Sequence, residues 1–186
     1  LLAYVSAWLK CHHPAAFYVG LLNSQPMGFY SPSQLIQDAR RHHIMVLPVD
    51  VNHSSWDHQI LSSADQQQPP IRLGLRLIKG LSEAAGQRIH TAQRQRAFAN
   101  VADLRQRACL DRGDMEALAA ADALSGISGN RYQSHWQTMA LEAHRPLLPH
   151  DSAAQRSQDD AVVTAAPTLP EDVVADYQST GLTLRS

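Results

Sequence analysis

The sequence predicts a mainly α-helical protein with a small β element. Apolar residues recur at helical spacing along most of the chain, and several of these segments begin with a residue type that commonly caps helices. Runs of β-branched residues are few and short. A length of 186 residues with 44% hydrophobic residues allows one compact domain or two small ones. This composition excludes a wholly disordered, collagen-like or low-complexity chain.

Three helices are predicted at the amino-terminal end. Aromatic and aliphatic side chains at helical spacing mark the first over 1–10, and Pro14 suits the first turn of a second helix that ends near Leu22. Ser31 and Gln34 have the spacing of a capping box, so a third helix is expected to begin there.

The β element is expected to consist of short strands. The β-branched run 44–51 is interrupted by Pro48, which is typical of an edge strand. Two further strands are expected around 56–61 and 71–73, joined by a polar loop. Four helices then follow, at about 82–93, 101–108, 112–121 and 131–143.

We divide the chain into three regions by composition and pattern. Residues 1–70 form a helical segment with short strands, residues 71–145 a helical module, and residues 146–186 a flexible, acidic linker or tail. The stretch 146–170 is rich in Pro, Ala and Asp. Within it, residues 150–168 have no apolar stripe, so we expect no fixed structure there.

The net charge of −1 conceals a basic middle and an acidic end. Residues 71–112 carry nine Lys and Arg against three acidic residues, a local net charge of +6, whereas residues 150–186 carry two against six, a net charge of −4. Such a basic stretch indicates a polyanionic partner such as nucleic acid, although a solvated helix face would have the same composition.

The sequence also indicates where the protein acts. Cys11 and Cys109 are too few for a disulfide framework and suit a reducing compartment, so a cytoplasmic location is expected. No apolar run approaches the roughly 20 residues of a membrane-spanning helix, and the amino end lacks the features of a signal peptide. Because residues 1–10 resemble the middle of a helix, we expect a segment of a longer protein.

Neither a metal site nor a catalytic site is predicted. Two pairs of adjacent histidines, 12–13 and 42–43, suggest zinc together with Cys11, but neighbouring side chains on a helix point about 100° apart and make poor co-ligands. The acidic residues of 1–112 are isolated, without the Asp-x-Asp pair of a two-metal phosphoryl-transfer site. Phosphate-binding-loop, dinucleotide-binding and serine-hydrolase motifs are absent from the sequence.

The most informative stretch has a helix-hairpin-helix pattern. It reads Leu75-x-x-Ile78-x-Gly80-Leu81-Ser82-x-x-x-Gly86-x-x-Ile89. Gly80 has no Cβ, so the backbone there can approach a phosphate. The amides of Leu81 and Ser82 open the next helix, whose N-terminus favours an anion. Ser82 replaces the second glycine of the pattern, and Gly86 replaces its usual alanine.

We predict that this hairpin binds the DNA backbone. The candidate contact residues are the hairpin and the cations beside it: Arg76, Lys79, Gly80, Leu81, Ser82 and Arg88. The alternative is a packing element with the same apolar spacing. A second unit without its glycine follows, in which Asn100 and Asp111 cap helices and Cys109 lies at the turn. It is expected to be structural and to complete a paired module.

Several strings closely resemble the bacterial C-family DNA polymerases. They lie at 8–17, 21–30, 38–42, 48–52, 73–81, 121–124 and 176–182. Residues 25–30, Gln-Pro-Met-Gly-Phe-Tyr, are similar to the error-prone, damage-response branch rather than to the replicative alpha subunit. His43 stands where family members usually have Gly, a residue suited to a left-handed helix end. The resemblance covers nearly the whole chain and thins from about 145 to 170.

The resemblance implies a position within a larger polymerase. Residues 1–70 would be the late fingers segment, 71–145 a tandem helix-hairpin-helix module, and 146–186 a linker. The palm, with its metal-binding carboxylates, would lie upstream, so Mg²⁺ is expected for the parent polymerase and no cofactor for this segment. The implied partners are duplex primer–template DNA and the other domains of the polymerase.

The function expected from this resemblance is that of an error-prone DNA polymerase acting in translesion synthesis and DNA repair. This segment would contribute sequence-independent binding of the duplex backbone. Two alternatives stay open: a non-catalytic helix-hairpin-helix module of a repair protein, and a purely structural fingers segment. Only the resemblance of residues 1–60 distinguishes a polymerase from a module, since helix-hairpin-helix units occur in many proteins.

Overall fold

The computed structural model describes residues 1–61, 68–140 and 167–185. Within these ranges the chain is mainly α-helical with a small three-stranded sheet, which confirms the predicted fold class. None of the described helices is long and apolar enough to cross a membrane. The elements are α1 (Leu2–His12), α2 (Pro14–Asn23), α3 (Pro32–Arg41), β1 (Val46–Leu47), β2 (Gln59–Ile60), β3 (Ile71–Arg72), a 3₁₀ turn (Leu75–Leu77), α4 (Glu83–Gln95), α5 (Val101–Arg107), α6 (Arg112–Ala120), α7 (Ser125–Ser128), α8 (Arg131–Ala140) and α9 (Leu169–Ser179).

Side-chain caps begin helices where the sequence predicts them. Ser31 Oγ accepts a hydrogen bond from the Gln34 amide at 3.3 Å, and the Ser31 amide donates to Gln34 Oε1 at 3.1 Å, which completes the capping box of α3. Ser82, Asn100 and Asp111 cap α4, α5 and α6 in the same way. The predicted starts of these four helices are confirmed.

β3 lies in the middle of the sheet, parallel to β1 and antiparallel to β2. Among the described strands β1 therefore has one neighbour, which confirms the edge strand predicted for 44–51, although the strand is limited to Val46–Leu47. Ile71, Leu73 and Leu75 are almost completely buried. Leu73 and Leu75 belong to the larger of two clusters of buried apolar residues in the described part of the chain, the main core, and Ile71 belongs to the smaller one. This burial anchors the backbone from β3 to the 3₁₀ turn and positions the hairpin that follows.

Residues 54–58 cross directly over the backbone that follows β3. A Cβ at Gly74 would lie 2.4 Å from the carbonyl oxygen of Trp56, so only glycine fits at this crossing. The Arg76 amide donates to the same Trp56 oxygen at 3.0 Å. The Gly74 amide donates to Nδ1 of the buried His58 at 3.1 Å, so the neutral ring carries its proton on Nε2.

The guanidinium of Arg76 ties this crossing to the end of α2. Its Nη1 donates to Asp57 Oδ1 at 2.7 Å and to the Asn23 carbonyl at 2.9 Å, and its Nη2 donates to the Gln25 carbonyl at 3.2 Å. The Asn23 side chain in turn pairs with the backbone amide and carbonyl of His58, at 2.9 and 3.0 Å. One network of hydrogen bonds therefore holds three segments together.

Three helices end on a residue other than glycine in the left-handed region. His43, Cys109 and Asp122 have φ angles of 60°, 48° and 56°. After each of them the next amide turns back into the preceding helix; Leu110, for example, donates to the Arg105 carbonyl at 3.1 Å, as in a Schellman motif. His43 therefore adopts the conformation that a glycine would suit at this position.

The carboxyl-terminal end differs from the predicted linker. Residues 150–166, where no fixed structure is expected, lie outside the described residues. Leu169–Ser179, however, forms the helix α9, which begins with a capping box at Thr168. Leu182, beyond this helix, is buried in the main core. The expectation of a flexible tail is therefore wrong for residues 167–185.

Ion pairs rather than an apolar stripe hold α9 in place. Arg131 of α8 donates to Asp172 Oδ1 at 2.8 Å and also to Asp176. Arg185 pairs with both of these carboxylates and donates to Asp122 Oδ2 at 2.7 Å. Because the groups that α9 buries are polar, the apolar periodicity of the sequence could not predict its packing.

Because the Trp56 ring packs closely on α4 at Gly86, we predict that Gly86→Ala destabilises the protein. In an unconstrained helix this change stabilises by roughly 0.5–1 kcal/mol. Here the new Cβ would lie 2.3 Å from the Trp56 ring. We expect a net loss of about 1–3 kcal/mol in the free energy of unfolding, the usual cost of overpacking. Urea unfolding monitored by circular dichroism measures it.

Gly20→Ala is the matched control for this exchange. Gly20 lies inside α2, and a Cβ there meets nothing within 4 Å. This variant should gain roughly 0.5–1 kcal/mol. In a Trp56→Leu background the cost of Gly86→Ala should disappear. If Gly86→Ala is stabilising with Trp56 present, the packing of the ring on α4 is refuted.

Because His58 is buried, we predict that the protein loses stability in weak acid. Burial, and secondarily the positive charge of Arg76, lower the pKa of His58 to about 4. Since an unfolded histidine titrates near pH 6.5, the unfolded state binds the extra proton first, and stability should fall from about pH 6.5 down to about pH 4. The full loss is about 3 kcal/mol.

Urea unfolding at pH 7 and pH 5 tests the role of His58. His58→Gln should reduce the difference in unfolding free energy between these two pH values by about 2 kcal/mol. His12→Gln, at an exposed position, serves as the control and should leave the difference as in the parent protein. An unchanged pH dependence in His58→Gln would contradict the assignment.

Candidate nucleic-acid interface

The predicted hairpin lies between the 3₁₀ turn and α4. Gly80, at its tip, is exposed and has φ of +86°, a left-handed conformation that favours glycine. Leu81 turns inward and is buried in the main core. Ser82 is exposed and caps α4. The structure thus brings Gly80, Leu81 and Ser82 together as the pattern predicts.

The N-terminus of α4 is open to solvent. Ser82 Oγ accepts the Ala85 amide at 3.1 Å, which satisfies the third amide of the helix. Glu83 and Ala84, the first two residues of α4, are exposed, and their amides have no partner within the described ranges. Free amides together with the positive end of the helix dipole can bind a phosphate oxygen.

Lys79 lies beside the hairpin and is held there by α9. Its Nζ donates to the carbonyls of Tyr177 and Gln178, both at 3.1 Å, and its backbone amide donates to the Ser179 carbonyl at 2.9 Å. An ammonium has three N–H donors, so one remains for a ligand. The side chain is exposed, and its charge is not neutralised by a carboxylate in the described part of the chain.

Arg76 and Arg88, two of the predicted contact residues, both donate hydrogen bonds within the chain. Arg76 spans the crossing over β3, as described above. Arg88 Nε donates to the Ala108 carbonyl at 2.9 Å, and Nη2 donates to the buried Asp114 carboxylate at 3.3 Å. Arg88 therefore joins α4 to the hairpin between α5 and α6.

Most of the basic stretch 71–112 is neutralised inside the fold. Carboxylates pair with five of its arginines: Arg76 with Asp57, Arg88 with Asp114, Arg96 and Arg107 with Asp103, and Arg112 with Glu116. Three of these four carboxylates lie outside the stretch. The net charge of residues 71–112 omits these partners from other parts of the chain. The value of +6 therefore overstates the positive charge of this surface.

The hairpin between α5 and α6 is formed, but its charge does not suit a phosphate. Cys109 takes the left-handed position at its tip, with φ of 48°. Asp111 caps α6 by accepting the Asp114 amide at 2.8 Å, which places the Asp111 carboxylate directly at the N-terminus of that helix. Negative charge at this N-terminus competes with an anion. The geometry agrees with the structural role expected for this unit.

No metal centre forms among residues 1–61, 68–140 and 167–185, where no group of three or more His, Cys, Asp and Glu side chains could hold an ion. The donor set at the hairpin consists of amides, a hydroxyl and an ammonium, which suits an anion and not Mg²⁺. The described residues therefore do not fit the divalent metal expected for the parent polymerase.

The structure adds two features that the sequence analysis missed. The first feature is the pair of free amides at Glu83 and Ala84. Because the first amides of a helix have no partner within the helix, the predicted Ser82 cap was the signal that could have indicated them. The contribution of residues 177–179 to the position of Lys79 had no such signal, since it joins segments almost 100 residues apart.

Known proteins resemble the chain along its whole length. A family model described as the helix-hairpin-helix motif matches residues 43–134. Proteins named error-prone DNA polymerase are 52% identical over 187 residues in Teredinibacter turnerae, 50% over 202 residues in Methylococcus capsulatus and 53% over 188 residues in Ralstonia nicotianae. Each alignment covers 100% of this chain but 18%, 19% and 17% of the relative, respectively.

The matched helix-hairpin-helix region contains the complete Gly80 hairpin and its partner at Cys109. The chain spans less than a fifth of the length of these relatives. At about half identity from end to end, the likeness extends well beyond one motif. The chain is therefore similar throughout to a segment of the bacterial error-prone DNA polymerases, and this segment includes the match to the helix-hairpin-helix motif.

Proposed function

We propose that this chain is a DNA-binding, non-catalytic segment of an error-prone DNA polymerase that acts in translesion synthesis and DNA repair in the cytoplasm. Its own contribution is sequence-independent binding of the backbone of primer–template duplex. The names of the relatives and the helix-hairpin-helix match support the family context. The open N-terminus of α4 beside the Gly80 hairpin carries the proposal for this segment.

A phosphate at this hairpin would meet three kinds of donor. The exposed amides of Glu83 and Ala84 point along the axis of α4, whose N-terminus carries about half a positive charge. Lys79 adds a full charge and one free N–H, and its position is set by the α9 carbonyls. Gly80 removes the Cβ that would keep a phosphate away. None of these donors reads a base, so binding should be independent of sequence.

The internal ion pairs limit how many phosphates this surface neutralises. With Arg76 and Arg88 bound within the chain, we expect one or two phosphate contacts. The logarithm of the binding constant should then fall against the logarithm of the salt concentration with a slope of roughly −1 to −2. The dissociation constant should lie in the non-specific range, on the order of 10⁻⁴ to 10⁻⁶ M.

We place phosphoryl transfer in the parts of the polymerase that this chain does not cover. Two-metal catalysis needs converging carboxylates that hold Mg²⁺. Residues 1–112 have no Asp-x-Asp pair, and several of the described carboxylates pair with arginines. The partners of this segment would be the duplex and the remaining polymerase domains.

Ala84→Glu tests the hairpin without disturbing its packing. A carboxylate in the first turn favours the helix dipole, so folding stability should be unchanged or slightly higher. The same charge repels a phosphate at about 4 Å by about 1 kcal/mol in water. Affinity for a labelled duplex, measured by fluorescence anisotropy, should therefore fall about fivefold, and the salt slope should become shallower by about 0.9.

The control for this variant is Ala102→Glu. Ala102 is also an exposed alanine at the second position of a capped helix, α5, away from the hairpin. This variant should bind duplex like the parent protein, as should Ala84→Gln. If Ala84→Glu stays folded and binds like Ala102→Glu, the hairpin is structural here and the DNA-binding role is refuted.

The purified chain should extend no primer. With a primed template, the four deoxynucleotides and either magnesium or manganese, we expect no product above that of a heat-inactivated sample, because the described residues contain no converging carboxylates for two metals. Gel electrophoresis of a labelled primer measures extension. Template-dependent incorporation would contradict the proposal that catalysis lies elsewhere.

A further inference from the structure

A second basic surface lies at the other end of the sequence. The first 49 residues contain one carboxylate, Asp38, against three Lys and Arg and four His. These seven basic side chains cluster at two helix ends: Lys10, His12 and His13 at the end of α1, and Arg40, Arg41, His42 and His43 at the end of α3. Lys10 is half-buried, and the other six are exposed.

Hydrogen bonds around Asp38 hold these two helix ends side by side. Lys10 Nζ donates to Asp38 Oδ2 at 2.7 Å, and the buried Tyr18 hydroxyl donates to the same oxygen at 2.6 Å. His42 Nδ1 lies 3.3 Å from the Tyr18 hydroxyl. The Lys10 ammonium, and then the Tyr18 hydroxyl, keep the pKa of Asp38 below its usual value. Asp38 therefore neutralises Lys10 and leaves Arg40 and Arg41 uncompensated.

Arg40 and Arg41 differ in this respect from Arg76 and Arg88, which pair with carboxylates of the chain. Neither guanidinium has a partner within the described ranges. The local charge is therefore about +2 before any histidine is protonated. The carboxyl ends of α1 and α3 each contribute about half a negative charge, so two full guanidinium charges still leave the surface attractive to phosphates.

An aromatic platform lies at the α1 side of this surface. The Trp8 indole is 44% exposed, and its centroid lies 4.7 Å from the His12 ring and 5.6 Å from the His13 ring. The His12 ring is tilted by 35° against the indole. An exposed indole on a basic surface is a platform on which an unpaired base can stack.

We propose that Trp8, His12, His13, Arg40 and Arg41 form a binding site for single-stranded nucleic acid, the α1–α3 site. A base stacks on the Trp8 ring while Arg40 and Arg41 contact the phosphates. In a duplex the base faces are covered by their neighbours, so this platform favours a single strand. The site is separate from the Gly80 hairpin and goes beyond the duplex binding proposed above.

A labelled oligothymidylate of about 15 nucleotides, which cannot pair with itself, tests the site by fluorescence anisotropy. Trp8→Leu should weaken binding at least about fivefold, because one base–aromatic stack contributes about 1–3 kcal/mol. A combined Arg40→Ser and Arg41→Ser variant should also bind more weakly. Its salt slope should become shallower by about 1.4, because each phosphate of a single strand that an arginine neutralises accounts for about 0.7 of the slope.

Matched variants control for general effects of an aromatic or an arginine. Tyr132→Leu removes a ring of similar exposure, 38%, on α8, and Arg112→Ser removes an exposed arginine on α6. Both should bind the oligothymidylate within about twofold of the parent protein. Ala84→Glu should also leave this affinity unchanged while weakening duplex binding, so failure of the hairpin and failure of the α1–α3 site are distinguishable.

Thermal unfolding confirms that each variant is folded, which is expected because the Trp8, Arg40 and Arg41 side chains are exposed. The proposal is overturned if folded Trp8→Leu and the double arginine variant bind oligothymidylate like the parent protein. It is also overturned if a duplex of the same length binds as tightly as the single strand and is weakened as much by Trp8→Leu, since base stacking would then play no part.

Discussion

The fold depends on the crossing of residues 54–58 over the backbone that follows β3. Gly74 lets the two backbones touch, and the Arg76 guanidinium locks the crossing to Asp57 and to the carbonyls at the end of α2. Everything that follows, including the 3₁₀ turn, the Gly80 hairpin and α4, is oriented by this point. A planar guanidinium with several donors suits this crossing because one side chain satisfies three acceptors in two separate segments.

This constraint changes how the basic region is understood. Arginines near a DNA-binding hairpin commonly contact phosphate, yet Arg76 and Arg88 instead satisfy carbonyls and carboxylates of neighbouring elements. The surface left for a ligand consists of backbone amides and Lys79. The proposed interface would rely on the shape of the hairpin and the direction of α4 more than on its number of charges. Weak binding of any duplex sequence is what this arrangement favours.

The carboxyl-terminal helix belongs to the same module. Arg131 and Arg185 bind the carboxylates of α9, and the last turn of α9 in turn holds the Lys79 ammonium. Arg131 and Arg185 are thus connected to Lys79 through α9. The α1–α3 site stands apart from this network, and there the uncompensated charge is that of Arg40 and Arg41.

The sequence by itself determined the helices with polar caps, the short edge strand and the glycine hairpin, because caps, breakers and apolar periods act over a few residues. Only the tertiary structure decided which charges remain free. Ion pairs such as Arg76–Asp57 and Arg131–Asp172 join residues 19 and 41 positions apart, and no local pattern records them. The same holds for α9, whose buried face is made of carboxylates that become compatible with burial only when Arg131 and Arg185 meet them in the fold.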